Sequence, residues 1–144
     1  MAERPARVLV VANRTAGSDE LLAALRERAA SGAATFLVVV PATPHGVAFE
    51  ERHTGEGEAR EHLAEALERF RGAGLGAEGW VGDPDPFAAV EDALEAHEID
   101  EIVVTTLPRK ISRWLGLDLP SRVRRLSDRP VTHVVGTEPR RAPG

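Results

Sequence analysis

The sequence contains no cysteine, which excludes disulfides, thiolate nucleophiles, zinc-cysteine sites and iron-sulfur clusters. Long hydrophobic runs are missing as well. The longest, Val8 to Ala12 and Phe36 to Val40, are several times too short to cross a bilayer. The opening Met1-Ala-Glu-Arg-Pro lacks the apolar stretch of a secretory signal, so a cytoplasmic location and no membrane association are expected. There is no Gly-Lys-Ser/Thr phosphate loop and no Gly-x-Ser-x-Gly elbow, so P-loop nucleotide hydrolysis and hydrolase-type acyl transfer lose their usual signal. The five histidines, His45, His53, His62, His97 and His133, include no pair at helical metal-binding spacing, and no metal site is expected. His45 and His53 share a loop with Glu50 and Glu51, whose plainer reading is solvated side chains. His97 at a helix end and His133 among valines read as structural.

What is present is globular. At 144 residues, with 42% hydrophobic and 28% charged side chains, the chain has the length and composition for one core that needs no metal or disulfide. One domain over residues 1–137 is expected, followed by a flexible basic tail at 138–144. The net charge of −5 is unevenly spread. Residues 1–106 hold 9 Arg against 20 Asp and Glu, a balance of −11, whereas residues 107–144 hold 8 Arg and Lys110 against three acids, a balance of +6. Such asymmetry can mark an anion or nucleic-acid site. Arg122, Arg124, Arg125 and Arg129 would carry a nucleic-acid contact, but no aromatic RNA motif or helix-turn-helix pattern accompanies them, and the acidic remainder disfavours that reading.

Along the chain, Val8-Leu9-Val10-Val11 is a continuous apolar run of the kind found in strands covered on both faces. Ser18 can cap a helix to about Ala30, with Asp19 and Glu20 in its first turn and Leu21, Leu22 and Leu25 on one face. Gly32 ends it, and Thr35 to Val40 is a second buried strand stopped by Pro41. The stretch from Pro41 to about Gly55 has no period and reads as a long loop. Glu58 to Arg71 is helical, with Leu63, Leu67 and Phe70 on one side. Trp80-Val81 anchors a short third strand. Asp85 and Pro86 open a third helix with Phe87, Val90 and Leu94 as its buried stripe. Glu101 to Thr105 is a fourth strand, Ser121 to Leu126 lies in a fourth helix, and Val131 to Val135 is a fifth strand. Gly72-Ala73-Gly74-Leu75-Gly76-Ala77 matches a dinucleotide fingerprint but closes a helix instead of opening one, and reads as a helix stop and turn.

Five strands alternating with four main helices predict an α/β, single-domain, doubly wound parallel sheet of Rossmann-like type. Ligands of such sheets bind beyond the carboxyl ends of the strands, where the winding direction switches. That singles out Asn13 to Gly17, the loop after Val40, and the segment from Thr105 to Asp118. The last offers two hydroxyls (Thr105, Thr106), three cations (Arg109, Lys110, Arg113) and Trp114, materials for an anion pocket with a stacking surface. The plainer reading is that Ile111, Trp114 and Leu115 pin the loop to the core. The candidate ligand residues are Asn13, Arg14, Thr15, Val40, Thr105, Thr106, Arg109, Lys110, Arg113 and Asp118. No catalytic residue is assigned, because no nucleophile with an adjacent base emerges.

Gly82-Asp83-Pro84, Asp100-Glu101-Ile102-Val103-Val104, Ser112-Arg113-Trp114-Leu115 and Arg129-Pro130-Val131 resemble the universal stress protein family. The likeness spans the whole chain in element order and is most specific from Gly82 to Val135. It implies a five-stranded Rossmann-like sandwich, a homodimer joined through the last strands (Val131, Thr132, His133, Val134 and Val135), and ATP or AMP with magnesium in some members. The family's nucleotide loop, Gly-x2-Gly-x9-Gly-Ser/Thr, falls on Thr105, Pro108, Leu117 and Asp118, so all three glycines are replaced, and the loop is one residue shorter. Those glycines let amides approach phosphate closely, and proline also lacks the amide. The family's aspartate after the first strand corresponds to Ala12 or Asn13.

Asp118 can cap the last helix itself, worth about 1 kcal/mol. Its charge would repel a phosphate about 5 Å away by roughly 3 kcal/mol at an effective dielectric near 20. The sequence therefore predicts a non-catalytic stress-response-like protein that binds a partner or an anionic small molecule, with weakened or absent ATP binding. The alternatives are a nucleotide-binding member using the basic loop, and an adenylyl-transfer enzyme of a related fold.

Overall fold

The computed structural model of the chain describes residues 4–13, 15–42, 56–106 and 118–136. Strands β1 (Ala6–Val11), β2 (Ala34–Pro41), β3 (Gly76–Gly82), β4 (Glu101–Thr106) and β5 (Val131–Val135) alternate with helices α1 (Asp19–Ser31), α2 (Glu56–Gly72), α3 (Pro86–Ala96) and α4 (Asp118–Leu126). All strand pairs are parallel, in the order β3-β2-β1-β4-β5. The order reverses at β1, which pairs Val8 to Val11 with Phe36 to Val39 on one side and with Glu101 to Val104 on the other. The expected doubly wound α/β sheet is thus present.

Two-residue alternation divides the core. Val8 and Val10 face Leu21 and Leu25 of α1 and Phe70 of α2, whereas Leu9 and Val11 face Val90 and Ala93 of α3 and Val123 of α4. Both sets are buried, which explains why β1 reads as an unbroken apolar run. Each fully buried aliphatic or aromatic side chain stabilises the fold by about 1.5–3 kcal/mol.

The helix signals act largely as read. Ser18 Oγ accepts from the Leu21 amide at 3.1 Å, and Asp85 Oδ1 accepts from the Phe87 amide at 3.0 Å with Pro86 as the first helical residue. Gly74, at φ 85°, closes α2: the Leu75 amide reaches the Phe70 carbonyl and the Gly74 amide the Arg71 carbonyl, both at 3.0 Å. This left-handed helix stop suits glycine, and the buried pair Leu75 and Phe70 seals it. The apparent dinucleotide fingerprint is therefore a helix terminus leading into β3.

Several boundaries differ from the sequence reading: β1 begins at Ala6, and β2 runs from Ala34 through Pro41, the residue expected to stop it. Strand β3 begins at Gly76 and not at Trp80. Pairing with β2 recruits residues of low strand preference, from Thr35 opposite Gly76 to Pro41 opposite Gly82. Helix α4 starts at Asp118, the residue read as standing at its start, and Pro120 is tolerated in a first turn whose amides have no helical acceptor. Helix α2 starts at Glu56. On α3 the buried stripe is Ala89, Val90 and Ala93, with Phe87 and Leu94 half-buried beside it. Small residues are needed there because Gly82 and Ala89 pack closely: a Cβ on Gly82 would lie 3.1 Å from that of Ala89.

The amino edge of the sheet is held by charge. Arg28 of α1 grips Glu101 of β4 with two hydrogen bonds of 2.8 and 2.7 Å, which holds its guanidinium above the ordinary arginine value. Asp100 accepts from the Arg7 amide at 2.8 Å and from Arg4 at 3.1 and 3.2 Å. The Arg7 hydrogen bond is the main reason its carboxyl lies below the usual aspartate value. Arg129 donates to the Ile99 carbonyl at 2.5 Å. This edge is scaffold.

Candidate functional site

The carboxyl edge is built differently, from hydroxyls. Among the described residues the buried polar side chains are Thr15, Ser18, Thr105 and Thr106, and all four lie at this edge around the point where β1 and β4 diverge from opposite windings. Burying a hydroxyl costs free energy unless it is hydrogen-bonded, so such a cluster is held by partners or used by a ligand.

The strand ends are stitched to one another in sequence across the edge. The Ala42 amide donates to the Gly82 carbonyl at 3.1 Å and the Ala12 amide to the Val39 carbonyl at 3.2 Å. Asn13 Nδ2 donates to the Pro41 carbonyl at 2.8 Å, spanning from β1 to β2. In the turn after β1, Thr15 places its Oγ1 in a very short hydrogen bond with Oγ1 of Thr105, bridging to β4. Thr106 Oγ1 meets His133 Nε2 of β5 at 2.7 Å, and the Gly136 amide donates to the Thr106 carbonyl at 2.8 Å. A Cβ on Gly136 would come 2.7 Å from Ser18 Oγ and 3.4 Å from Thr15 Cβ, so only glycine lets the end of β5 lie against the α1 cap. From the α2 side, Arg69 donates to the Gly17 carbonyl at 2.5 Å and to Asp19 at 2.7 Å, fixing the turn.

Of the candidate residues, Asn13, Thr15, Thr105 and Thr106 converge on this edge, with the first residue of α4, Asp118, following the loop that leaves β4. Val40 is completely buried in the core half that faces α1 and α2, so its side chain is part of the floor. Arg14, Arg109, Lys110 and Arg113 lie outside the described residues, as do Trp114, the loop from 43 to 55 and the tail from 137. Both threonine hydroxyls read from sequence as phosphate donors are already engaged within the fold.

The sequence assigns His133 a structural place and a position on the dimer edge, not a place in the ligand site, and nothing in the local pattern Val131-Thr132-His133-Val134-Val135 points to Thr106. The contact follows from the register of β4 and β5, which sets Val104 opposite His133. Burial, and to a lesser extent the Arg124 cation, pushes the half-buried imidazole below the ordinary histidine value. His97, at the end of α3, stacks on Trp80 with ring centroids 4.8 Å apart.

The basic residues of α4 and its exit are partly committed to the fold. Arg122 lies 4.1 Å over the Phe87 ring, Arg124 reaches the Val131 carbonyl at 3.4 Å, and Arg129 also donates to Ser127. Strand β5 is an edge strand, with Val135 51% exposed. No described helix is long and apolar enough to cross a membrane, and among the described residues no group of three or more His, Asp or Glu could hold a metal ion.

No family model matches the sequence, and no curated protein matches it significantly. Solved structures do. A universal stress protein from Archaeoglobus fulgidus superimposes with a TM-score of 0.63 at 20% identity, over 90% of this chain and 93% of that one. A universal stress protein from the same organism solved with dAMP gives 0.60 at 21% identity, over 91% and 98%. A universal stress protein solved with cAMP gives 0.55 at 21% identity, over 92% and 98%. With the strand order, the winding reversal at β1 and the helix layers described above, these likenesses establish that the chain has the fold of the universal stress proteins.

Proposed function

We propose that this protein is a non-catalytic regulatory protein that binds an adenine nucleotide at the carboxyl edge of its sheet, favouring nucleotides with one phosphate over ATP. The observation that carries this reading is the gathering of every buried hydroxyl of the described residues at the switch point, in a fold whose solved examples include complexes with dAMP and cAMP. Crevices outside the carboxyl ends of strands at such a point are the usual ligand sites of open α/β sheets. The preference for low charge follows from Asp118, which begins α4. In the sequence Asp118 stands where the family pattern has Ser or Thr, and a carboxylate near a phosphate adds repulsion with each further phosphate charge. Fold alone does not license an activity, so no catalytic step is assigned. A cytoplasmic setting accords with this role.

Two measurements test the reading. Heat-denatured purified protein should release material with adenine absorbance. A saturating nucleotide at a hundred times its dissociation constant should add about 2.7 kcal/mol, or roughly 8 °C in melting temperature for a chain of this size. AMP, dAMP or cAMP should give the shift, and ATP with magnesium a smaller one. If nothing is released and no nucleotide shifts the melt, the protein is instead a docking body for a partner, a reading favoured by the engagement of Thr105 and Thr106 with Thr15 and His133.

We further propose a homodimer through β5. Its outer edge carries unpaired backbone groups, and an exposed apolar edge is normally covered. Val135 and Leu126, the large apolar side chains exposed among the described residues, lie on β5 and on the adjacent α4. Sedimentation should show a species of twice the 15.5 kDa chain mass at micromolar concentration, and a monomer alone would contradict the proposal.

A further inference from the structure

Among the described residues of the carboxyl edge, His133 is a titratable side chain bonded directly to a candidate ligand group, its Nε2 lying 2.7 Å from Thr106 Oγ1. Thr106 is the last residue of β4 and is 8% exposed, and its hydroxyl bonds to His133. Alternation along β5 places His133 on the same face as Val131, toward α3 and α4.

A neutral imidazole has one donor and one acceptor nitrogen, whereas the imidazolium has two donors. If Nε2 accepts, the Thr106 hydroxyl proton is spent on it, and only oxygen lone pairs remain toward the edge. Those repel a phosphate oxygen. If Nε2 carries a proton, it donates to Thr106 Oγ1, and the hydroxyl proton is released to point elsewhere. With the neutral ring in its Nδ1–H form, protonation of Nε2 also adds a positive charge behind the hydroxyl.

We propose that His133 is a proton-linked switch for anion binding, setting through Thr106 whether the end of β4 presents a lone pair or a hydrogen-bond donor to a nucleotide phosphate. This rests on the nucleotide reading above. On the face toward His133, α3 carries the exposed acids Glu91, Asp92 and Glu95, and α4 carries Arg122, stacked on Phe87, with Arg124 and Arg125. Arg124 of α4 faces the imidazole and favours its neutral form. On β4 the charged residue, Glu101, is at the far end and is committed to Arg28. Helix α1 packs on the opposite face of the sheet, with its Asp19 held by Arg69. A bound anion beside Thr106 would add an opposing charge close to the imidazole, so anion and proton should bind cooperatively.

The test uses the full chain and cAMP, whose single phosphodiester charge does not change across the range where histidine titrates. Between about pH 7.5 and about pH 5.5, cAMP affinity should rise about tenfold. By reciprocity, saturating cAMP should raise the His133 pKa, followed by imidazole NMR, by about one unit. His133→Gln and Thr106→Val should each flatten the pH dependence. Binding that is flat with pH in the parent, or a slope that persists in His133→Gln, overturns the switch while leaving nucleotide binding intact. Absence of cAMP binding at every pH overturns both. Should either variant fail to fold, the ligand-induced shift of His133 in the parent protein decides.

Discussion

Gly79→Ala should lower the melting temperature by about 10 °C, while Gly76→Ala in the same strand should leave it unchanged or raise it slightly. Both glycines belong to β3, yet their surroundings are opposite. A Cβ on Gly79 would fall on the Val38 carbonyl oxygen and lie 2.8 Å from Leu63 Cδ1, whereas one on Gly76 meets nothing within 4 Å. Leu63 could rotate away. The Val38 carbonyl cannot without disturbing the pairing of β2 with β3 that sets Val38 opposite Gly79. Overpacking against backbone of this kind costs about 3 kcal/mol, which corresponds to roughly 10 °C for a domain of this size. At Gly76 the added methyl only restricts the unfolded chain, for a gain of at most about 1 kcal/mol. Thermal denaturation of the two variants side by side checks the argument, and equal melting temperatures would refute it.

A larger loss is expected for Phe70→Ala, about 3–5 kcal/mol, enough to bring the protein close to unfolding. Phe70 is fully buried and joins α2 to the core half containing Val8, Val38 and Leu75. Its carbonyl also accepts from the Ala73 and Leu75 amides in the helix stop, so the cavity opens where α2 turns into β3. Leu67→Ala, on the same helix but only half-buried, should cost markedly less. Chemical denaturation of both variants measures the difference. A Phe70→Ala loss no greater than that of Leu67→Ala would show that α2 is not anchored through this side chain.

The fold was legible wherever local chemistry and tertiary environment agree. Val8 to Val11, Thr35 to Val40 and Glu101 to Thr105 read as strands because a parallel sheet covered by helices buries both faces. The caps at Ser18 and Asp85 read correctly because a side-chain oxygen and an orphan amide meet within one turn. Strand β3 is the counterexample. Gly76-Ala77-Glu78-Gly79 has neither β-branched bulk nor alternation, and becomes strand because β2 supplies hydrogen-bond partners along its length and α2 needs a smooth surface at Gly79.

The candidate site divides the same way. Asn13, Thr15, Thr105 and Thr106 stood out because they follow apolar strands on the side where α/β sheets bind ligands. Their partners did not. Thr15 and Thr105 are 90 residues apart and Thr106 and His133 are 27 apart, distances over which sequence carries no pairing information.

Sequence alone determined the order of strands and helices, the apolar faces that pack them and the edge at which polar residues gather, because each depends on periodicity and end chemistry within a few residues. Tertiary structure decided which hydroxyl meets which partner and placed an imidazole behind Thr106. Those contacts arise only when β4 is seated between β1 and β5, and that seating is set by hydrogen-bond register between strands distant in the chain.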